Sequence, residues 1–288
     1  MKKLIVVVLI VGTTFIFFGT KKGRVAKNVA ISYVISSELV NEEGSVVSDR
    51  ILLPEGYTRK TYPEGSFQQY IQQYPLENYG AKIINYNGQE YGYQSGHVGI
   101  FSLPVPENGL QQCADALIRI RAEYLWDKVR KDEIGFNFTS GHYFSWKEYA
   151  EGYRPKINGN RVTYFKIATQ DVSEDNFYRY LNLIFMYSGT QSLFDELDPV
   201  EDISDVEVGD MLIYPGSPGH VIMVADVAID EIGNKLFIFA QGNTPAQSVH
   251  ILKNPNDKRI SPWYDIEMGQ YLEIPTYFFN EVKFIRFK

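Results

Sequence analysis

The chain has 288 residues, a formal net charge of −7 and a pI near 5.2, so it lacks the basic character of a nucleic-acid-binding protein. We therefore predict no nucleic-acid partner. Its single cysteine, Cys113, excludes an intramolecular disulfide and a zinc site built from several thiolates. Its four histidines show no paired ligand spacing, and we predict neither a metal nor another cofactor.

The N-terminal segment has the pattern of an export signal. Met1–Gly19 carries two lysines and then a mostly apolar stretch. Basic residues follow it directly, so the pattern fits a cleaved signal peptide or an uncleaved signal-anchor that tethers the chain to a membrane. We predict residues 1–20 as this leader, 21–50 as a linker and 51–288 as one domain that is extracytoplasmic, either periplasmic or secreted.

Three elements are predicted before the longest helix. Ser66–Tyr74 is a short helix with Ser66 as its N-cap. Ala81–Tyr93 is a hairpin, because Asn87-Gly88 is a strong type I′ turn signal. Gly96–Pro106 is a strand that begins at His97.

The strongest helix prediction is Gly109–Lys131, which is uninterrupted by glycine or proline after its first residue. Apolar residues occur on nearly every side from Ala114 to Trp126, which is typical of a buried, central helix. Cys113 lies in the first turn, where the helix dipole and unpaired backbone N–H groups favour a thiolate. The competing interpretation is that Cys113 is a small buried apolar residue.

The second half of the chain alternates strands with one more helix. Arg161–Ala168 is predicted as a strand and Ser173–Tyr187 as a helix. The acidic stretch 195–210 is predicted as a solvated loop, since its carboxylates lack the spacing of a calcium loop. Further strands are predicted at Lys235–Gln241, Val249–Leu252 and Phe278–Phe287.

The stretch Gly209–Ala228 is predicted as strand, glycine-proline turn and strand, with the first strand at Met211–Tyr214 and His220 opening the second strand. A histidine there is held rigidly and can serve as a general base. Cysteine peptidases of the papain type place a thiol at the start of a central helix and a histidine on a packed strand, in the order found here. An oxyanion hole is then expected from the backbone N–H of Cys113 with the amide of Gln112 or Gln111.

Two resemblances to known families follow from these residues. Gly209-Asp210 before three apolar residues, with Gly-His-Val at 219–221, resembles the base-bearing hairpin of NlpC-type and CHAP-type cell-wall peptidases. Gln112-Cys113 is closer to the CHAP-type pattern than to the NlpC-type Asp-Cys-Ser. The chain from about residue 53 to 263 also resembles a secreted bacterial family, domain-of-unknown-function family 4846, through LQQCADALIRIRAEYLW, FNFTSG, YSGTQSL, PGHVIMVADV, AQGNTPAQSVHIL and Ser261–Tyr264.

The peptidase resemblance implies a third polar residue on the strand after the histidine. A strict overlay on the peptidase pattern places this residue at Phe239, whose side chain cannot accept a hydrogen bond from the imidazole N–H. We therefore expect Gln241, two residues along and on the same strand face, with Asn243 as the alternative. His97 is the rival of His220 for the cleft, since Gly96-His97-Val98 repeats the same tripeptide. Gln112, His97 and Asn243 are accordingly predicted as binding residues beside the catalytic set Cys113, His220 and Gln241.

The sequence thus predicts an α+β domain with a papain-like or NlpC-like core, a central helix on an antiparallel sheet and an N-terminal β/α elaboration. The predicted function is that of an exported thiol hydrolase, a peptidase or amidase that acts on cell-wall peptide or a related amide. The alternative is an inactive binding module with a buried Cys113 and a groove formed by aromatic side chains: Tyr143, Trp146, Tyr149 and Trp263.

Overall fold

The computed structural model describes residues 26–27 and 39–288. The predicted leader, residues 1–20, and the predicted linker up to residue 38, apart from 26–27, lie outside the described residues. Within the part described, no helix is both long and apolar enough to cross a membrane.

The architecture is a large antiparallel sheet with a few helices. The helices are α1 (Val47–Arg50), α2 (Phe67–Gln72), α3 (Cys113–Asp127), α4 (Trp146–Ala150), α5 (Glu174–Tyr187) and α6 (Thr190–Glu196), with 3₁₀ turns at Lys131–Glu133 and Ile203–Asp205. The strands are β1 (Tyr57–Arg59), β2 (His97–Ile100), β3 (Gly135–Asn137), β4 (Tyr143–Ser145), β5 (Tyr153–Asn158), β6 (Arg161–Lys166), β7 (Asp198–Val200), β8 (Met211–Tyr214), β9 (His220–Asp230), β10 (Lys235–Gln241), β11 (His250–Leu252), β12 (Leu272–Glu273), β13 (Phe278–Phe279) and β14 (Phe284–Arg286).

Eight strands form the main sheet in the order β2-β11-β10-β9-β8-β14-β7, and β1 pairs with β9 from outside this path. Every pairing in this sheet is antiparallel. Strand β9 is the longest and is buried from His220 to Ala228, because its nearly unbroken apolar run is covered by neighbouring elements. Two-stranded sheets β3-β4, β5-β6 and β12-β13 lie apart from it.

Helix α3 packs against β9, β10 and α5 and is the central helix of the fold. It begins at Cys113, later than the predicted Gly109, because Gly109 has a positive φ of +71° that does not fit a helix. From Cys113 to Ile120 every residue of α3 is buried. The prediction of a central helix on an antiparallel sheet is therefore confirmed at this level of detail.

Several element predictions are also confirmed. Strands β8 and β10 have the predicted bounds, and Ser66 and Ser173 cap α2 and α5 by accepting hydrogen bonds from backbone N–H groups. The predicted hairpin at Ala81–Tyr93 is reduced to a single bridge between Ile84 and Glu90 around a turn.

Residues 39–50, which were assigned to the end of the linker, pack on the body. Val47 is fully buried, and Arg50 is 2% exposed. Arg50 donates hydrogen bonds to the carbonyl oxygens of Gly44, Glu77 and Val98. The polar composition of this segment suggested a linker. A charged residue such as Arg50 can nevertheless be buried when it pairs with backbone oxygens, and composition alone does not show this.

Candidate active site

A cleft of about 660 Å³ lies where the first turn of α3 meets the turn between β8 and β9. The first turn of α3 contributes Cys113, Ala114 and Asp115 to its lining. The β8–β9 turn contributes Gly216 to Gly219, and His220 follows directly. The segment after β10, the end of α5 and Tyr277 complete the wall. The cleft therefore contains both the thiol and the imidazole predicted from the sequence.

Cys113 is the first residue of α3 and is 7% exposed. The structure brings the chain after β10 close to it, since a Cβ on Gly242 would lie 3.6 Å from the Cys113 Cα and 3.0 Å from the Ala116 Cβ. Glycine at this position lets the end of β10 approach the start of the helix. This close approach sets the distance between the sheet and the thiol.

Burial is the main cause that raises the pKa of the Cys113 thiol to about 11, and the nearby Asp115 carboxylate contributes in the same direction. Backbone N–H groups of Ala114, Val221 and Cys113 itself act in the opposite direction by hydrogen bonding to the sulfur. The resting thiol is protonated at neutral pH.

His220 opens β9 and is 4% exposed. Its ring lies 4.7 Å from the ring of Tyr277 and 5.9 Å from that of Phe279, measured between centroids. Burial lowers its pKa to about 4, although the hydrogen bond to Gln241 acts to raise it. The imidazole is therefore neutral at pH 7 and can accept a proton.

Gln241 ends β10 and is fully buried behind His220. Its Oε1 lies 2.7 Å from His220 Nε2. A β-bulge between Ile238 and Phe239 shifts the pairing of β10 with β9 by one residue. Since a one-residue shift exchanges the two faces of a strand, the bulge places Gln241 on the same sheet face as His220.

His250 is a neighbour of this group that the sequence analysis did not select, although it lies in the predicted strand Val249–Leu252. It is 4% exposed and pairs directly with Gln241 across β10 and β11. Its Nε2 lies 3.2 Å from Gln241 Nε2. A usable signal was the isolated polar residue in the apolar run VHIL, which is typical of a buried polar contact.

His97, the predicted rival base, does not line the cleft. It lies on β2 on the far side of His250, with ring centroids 6.1 Å apart. Burial lowers its pKa to about 3, and its Nδ1 is buried with no hydrogen-bond partner among the described residues. The structure thus separates His97 from Cys113 by the width of the intervening strands.

Gln112 and Asn243 both line the cleft next to Cys113. Gln112 Oε1 accepts a hydrogen bond of 2.9 Å from the Thr244 hydroxyl. The Gln112 Nε2 is therefore the end of the amide that can donate a hydrogen bond to a ligand. Gln111 is fully buried and accepts from Arg119 at 2.7 Å. Of the two amides expected for an oxyanion hole, only Gln112 reaches the cleft.

Asp115 is a cleft residue whose importance the sequence did not indicate. Its Oδ2 accepts a hydrogen bond of 3.0 Å from the Gln112 backbone N–H, and its Oδ1 is buried and has no hydrogen-bond partner in the described part of the chain. Burial raises the pKa of this carboxyl to about 7. A carboxyl group that titrates near neutral pH therefore lies in the same turn of α3 as the thiol.

The predicted aromatic groove is wrong for three of its four residues. Trp146, Tyr149 and Trp263 are 3%, 7% and 0% exposed, and only Tyr143 is exposed. Trp146 and Tyr149 pack on Tyr180 of α5 with ring centroids 5.9 and 5.5 Å apart. These side chains belong to the core and offer no open binding surface.

The cleft combines a neutral thiol, a neutral imidazole and backbone N–H groups at a helix start. This combination allows a proton to pass from sulfur to imidazole as the sulfur forms a bond to an electrophile. The described residues contain no group of three or more metal-ligating side chains.

Comparisons with known proteins give one match. A family model with the description "Domain of unknown function (4846)" matches residues 47–286. Searches against curated proteins and against solved structures returned no match.

Proposed function

The chain belongs to domain-of-unknown-function family 4846, and from its cleft we propose that it is an exported thiol hydrolase with a papain-like core. Cys113 is the nucleophile, His220 the general base and Gln241 the residue that orients His220. The observation that carries the proposal is the shared cleft of Cys113 and His220, with His220 held 2.7 Å from Gln241 Oε1. The leader predicted at residues 1–20 supports export.

The reaction follows from the protonation states. As Cys113 Sγ attacks an amide carbonyl carbon, its proton passes to His220 and a sulfur–carbon bond forms. His220 then donates that proton to the leaving nitrogen as the carbon–nitrogen bond breaks. Water hydrolyses the resulting thioester with the help of His220, which releases a carboxylic acid and restores the thiol.

Two groups can stabilise the negative charge that develops on the carbonyl oxygen. The Cys113 backbone N–H belongs to the first turn of α3, where N–H groups have no partner within the helix. The Gln112 Nε2 is the second donor. Removing one such donor typically lowers kcat by roughly 100-fold or more, so Gln112→Ala should retain little activity.

The substrate class is a peptide or peptidoglycan-like chain, most directly the peptide of the cell wall. The NlpC-type pattern around His220 and the predicted export both support this choice. The cleft of about 660 Å³ lies within the size range of known small-ligand sites. An extracytoplasmic enzyme would meet this polymer without crossing a membrane.

The test is cleavage of purified cell-wall muropeptides by the full chain, followed by mass spectrometry of the products. We expect a new amine and a new carboxylic acid from wild type, and no product from Cys113→Ser. His142→Ala is the matched control, because His142 does not line the cleft and should keep wild-type activity. Cleavage that persists in Cys113→Ser would contradict the proposal.

The burial of the thiol favours a second candidate, an inactive extracytoplasmic binding module that uses the same cleft. Its support is the pKa of Cys113, raised to about 11 by burial. This candidate predicts muropeptide binding by calorimetry that is unchanged in Cys113→Ala, with no product formed by wild type. Binding together with Cys113-dependent cleavage would reject it.

A further inference from the structure

A polar row crosses three neighbouring strands of the main sheet and ends at the cleft. It runs from His250 on β11 through Gln241 on β10 to His220 on β9. His250 is absent from the cleft lining, so it cannot touch a substrate there. The hydrogen-bonded contact through which His250 can act on His220 is Gln241.

The protonation of His250 is fixed at one nitrogen by the backbone. His250 Nδ1 lies 2.9 Å from the carbonyl oxygen of Ser248. A carbonyl oxygen can only accept a hydrogen bond, so Nδ1 carries the proton. Burial also lowers the pKa of His250 to about 4 and keeps the ring neutral, which leaves Nε2 as an acceptor.

That acceptor determines which way the Gln241 amide points. The amide nitrogen lies 3.2 Å from His250 Nε2 and 3.4 Å from the Thr276 hydroxyl oxygen, and both atoms can accept from it. The opposite orientation would set the amide oxygen against the lone pair of His250 Nε2. That arrangement would leave both buried groups without a hydrogen bond, which is unfavourable.

The amide orientation in turn determines the tautomer of His220. Gln241 Oε1 faces His220 Nε2 at 2.7 Å and can only accept, so Nε2 carries the proton of the neutral ring. His220 Nδ1 then holds the lone pair. Nδ1 is therefore the nitrogen of His220 that can accept the thiol proton.

We propose that His250 is a positioning residue, which holds the Gln241 amide and thereby sets His220 in its Nε2–H tautomer. The role in catalysis rests on the proposed function, whereas the tautomer itself does not. The series begins at the Ser248 carbonyl, which can only accept a hydrogen bond. This fixes His250 Nε2 as an acceptor, then the Gln241 amide nitrogen as its donor, and finally His220 Nε2 as the donor to Gln241 Oε1.

The test is ¹⁵N NMR of the histidine side chains in the full chain, with His220→Ala used to assign the His220 signals. In wild type we expect His220 protonated at Nε2 and His250 protonated at Nδ1. His250→Phe keeps a ring but removes the acceptor, so His220 should become a mixture of tautomers. His250→Gln restores an acceptor and should return His220 to the Nε2–H form.

Muropeptide cleavage gives the second readout. We expect His250→Phe to lower kcat roughly 10-fold or more, by analogy with the loss of groups that orient a catalytic or ligating histidine, with a smaller change in KM. His250→Gln should recover most of the loss. A general loss of stability would not be repaired by one acceptor and would not change a tautomer in folded protein.

The outcomes separate the two proposals. Absence of cleavage by wild type would reject the hydrolase, while the tautomers would still decide the role of His250. An unchanged His220 tautomer in folded His250→Phe would overturn the positioning role. If His250→Phe does not fold, wild type alone decides, because a His220 protonated at Nδ1 or a His250 protonated at Nε2 also overturns it.

Discussion

Asp115 is the residue whose charge acts most directly on the thiol. Its carboxyl lies in the first turn of α3 with Cys113, and its pKa is raised to about 7 by burial. When ionised, it raises the pKa of Cys113. We therefore expect the charge of Asp115 to control thiol reactivity between mildly acidic and mildly alkaline pH.

Asp115→Asn should increase the rate at which Cys113 reacts with iodoacetamide above pH 7. The amide keeps an acceptor for the Gln112 N–H but cannot carry the negative charge that disfavours a thiolate. We expect a several-fold increase at pH 8.5 and little change at pH 5.5, measured by intact mass. Because Cys113 is the single cysteine, the added mass reports one site. Equal rates for the two proteins at pH 8.5 would contradict this effect.

The same substitution should change the pH dependence of stability. The folded pKa of about 7 exceeds the ordinary value of 3.8, so the folded protein binds this proton more tightly than the unfolded chain. The resulting stability is complete below about pH 4 and is lost as the pH rises through 7. In urea titrations Asp115→Asn should match wild type near pH 4 and exceed it by about 4 kcal/mol at pH 8. A difference that is the same at both values would argue against a buried, titrating Asp115.

At the residue scale, the sequence predicts which two residues line the cleft better than it predicts the residues around them. The order of Cys113 and His220 and the strand patterns were sufficient to select two residues that line one cleft. His250 and Asp115 were not selected, because their importance depends on burial and on unpartnered atoms. The apolar run around His250 indicates that this residue is buried but not what it contacts, and the start of a helix does not indicate that the Asp115 carboxyl is buried.

The turn between β8 and β9 is the element that positions His220. Gly219 lies in a tight space, where a Cβ would come within 2.2 Å of Thr190 Oγ1 and 2.5 Å of the Gly216 carbonyl oxygen. The carbonyl belongs to the backbone and cannot rotate away as a flexible side chain can. The turn therefore requires glycine for close packing against the start of α6.

Gly219→Ala should destabilise the protein by roughly 1–3 kcal/mol, the usual cost of overpacking, and should lower cleavage more than stability alone explains. Denaturant unfolding and kcat are the two measurements. Gly189→Ala is the matched control, since Gly189 lines the same cleft and a Cβ there meets nothing within 4 Å. Equal effects of the two substitutions would show that the turn tolerates a side chain.

Most predicted helices and strands match in type, but the stretch 195–210, predicted as a solvated loop, contains strand β7 of the main sheet and the buried Asp210. The pairing of the strands is what the sequence could not show. The apolar runs of β8 and β10 give their bounds correctly. The bulge at Ile238 and Phe239 leaves no pattern in the residues, yet it decides which face Gln241 occupies. The register of strand pairing depends on contacts between distant segments, and a single sequence does not reveal these contacts.

At the scale of the whole molecule, the N-terminal segment is part of the folded body from residue 39 onward. Arg50 links it to β2, since its guanidinium donates to the Val98 carbonyl as well as to Gly44 and Glu77. Burial lowers its pKa, with the neighbouring Tyr79 and Glu42 acting in the opposite direction. The family model likewise begins at residue 47.

Arg50→Met should lower the free energy of unfolding by roughly 2–4 kcal/mol, because it leaves several buried carbonyl oxygens without donors. The measurement is urea unfolding of the full chain. Arg259→Met is the control, since Arg259 is an exposed residue whose ion pair with Asp257 is a surface contact. A loss for Arg50→Met as small as the control's would indicate that residues 39–50 contribute little to stability.

The large antiparallel sheet and the central helix were predictable from periodicity, whereas the assignment of a papain-like core remains a proposal. It depends on how Cys113 and His220 act together in solution. The most direct measurement is the rate of Cys113 modification by iodoacetamide in the folded full chain at pH 7. We predict that wild type and His142→Ala react equally, and that His220→Ala reacts at least roughly 10-fold more slowly, since general-base assistance contributes about 100-fold or more. A folded wild type that resists modification, or a His220→Ala that reacts as fast as wild type, would contradict the account.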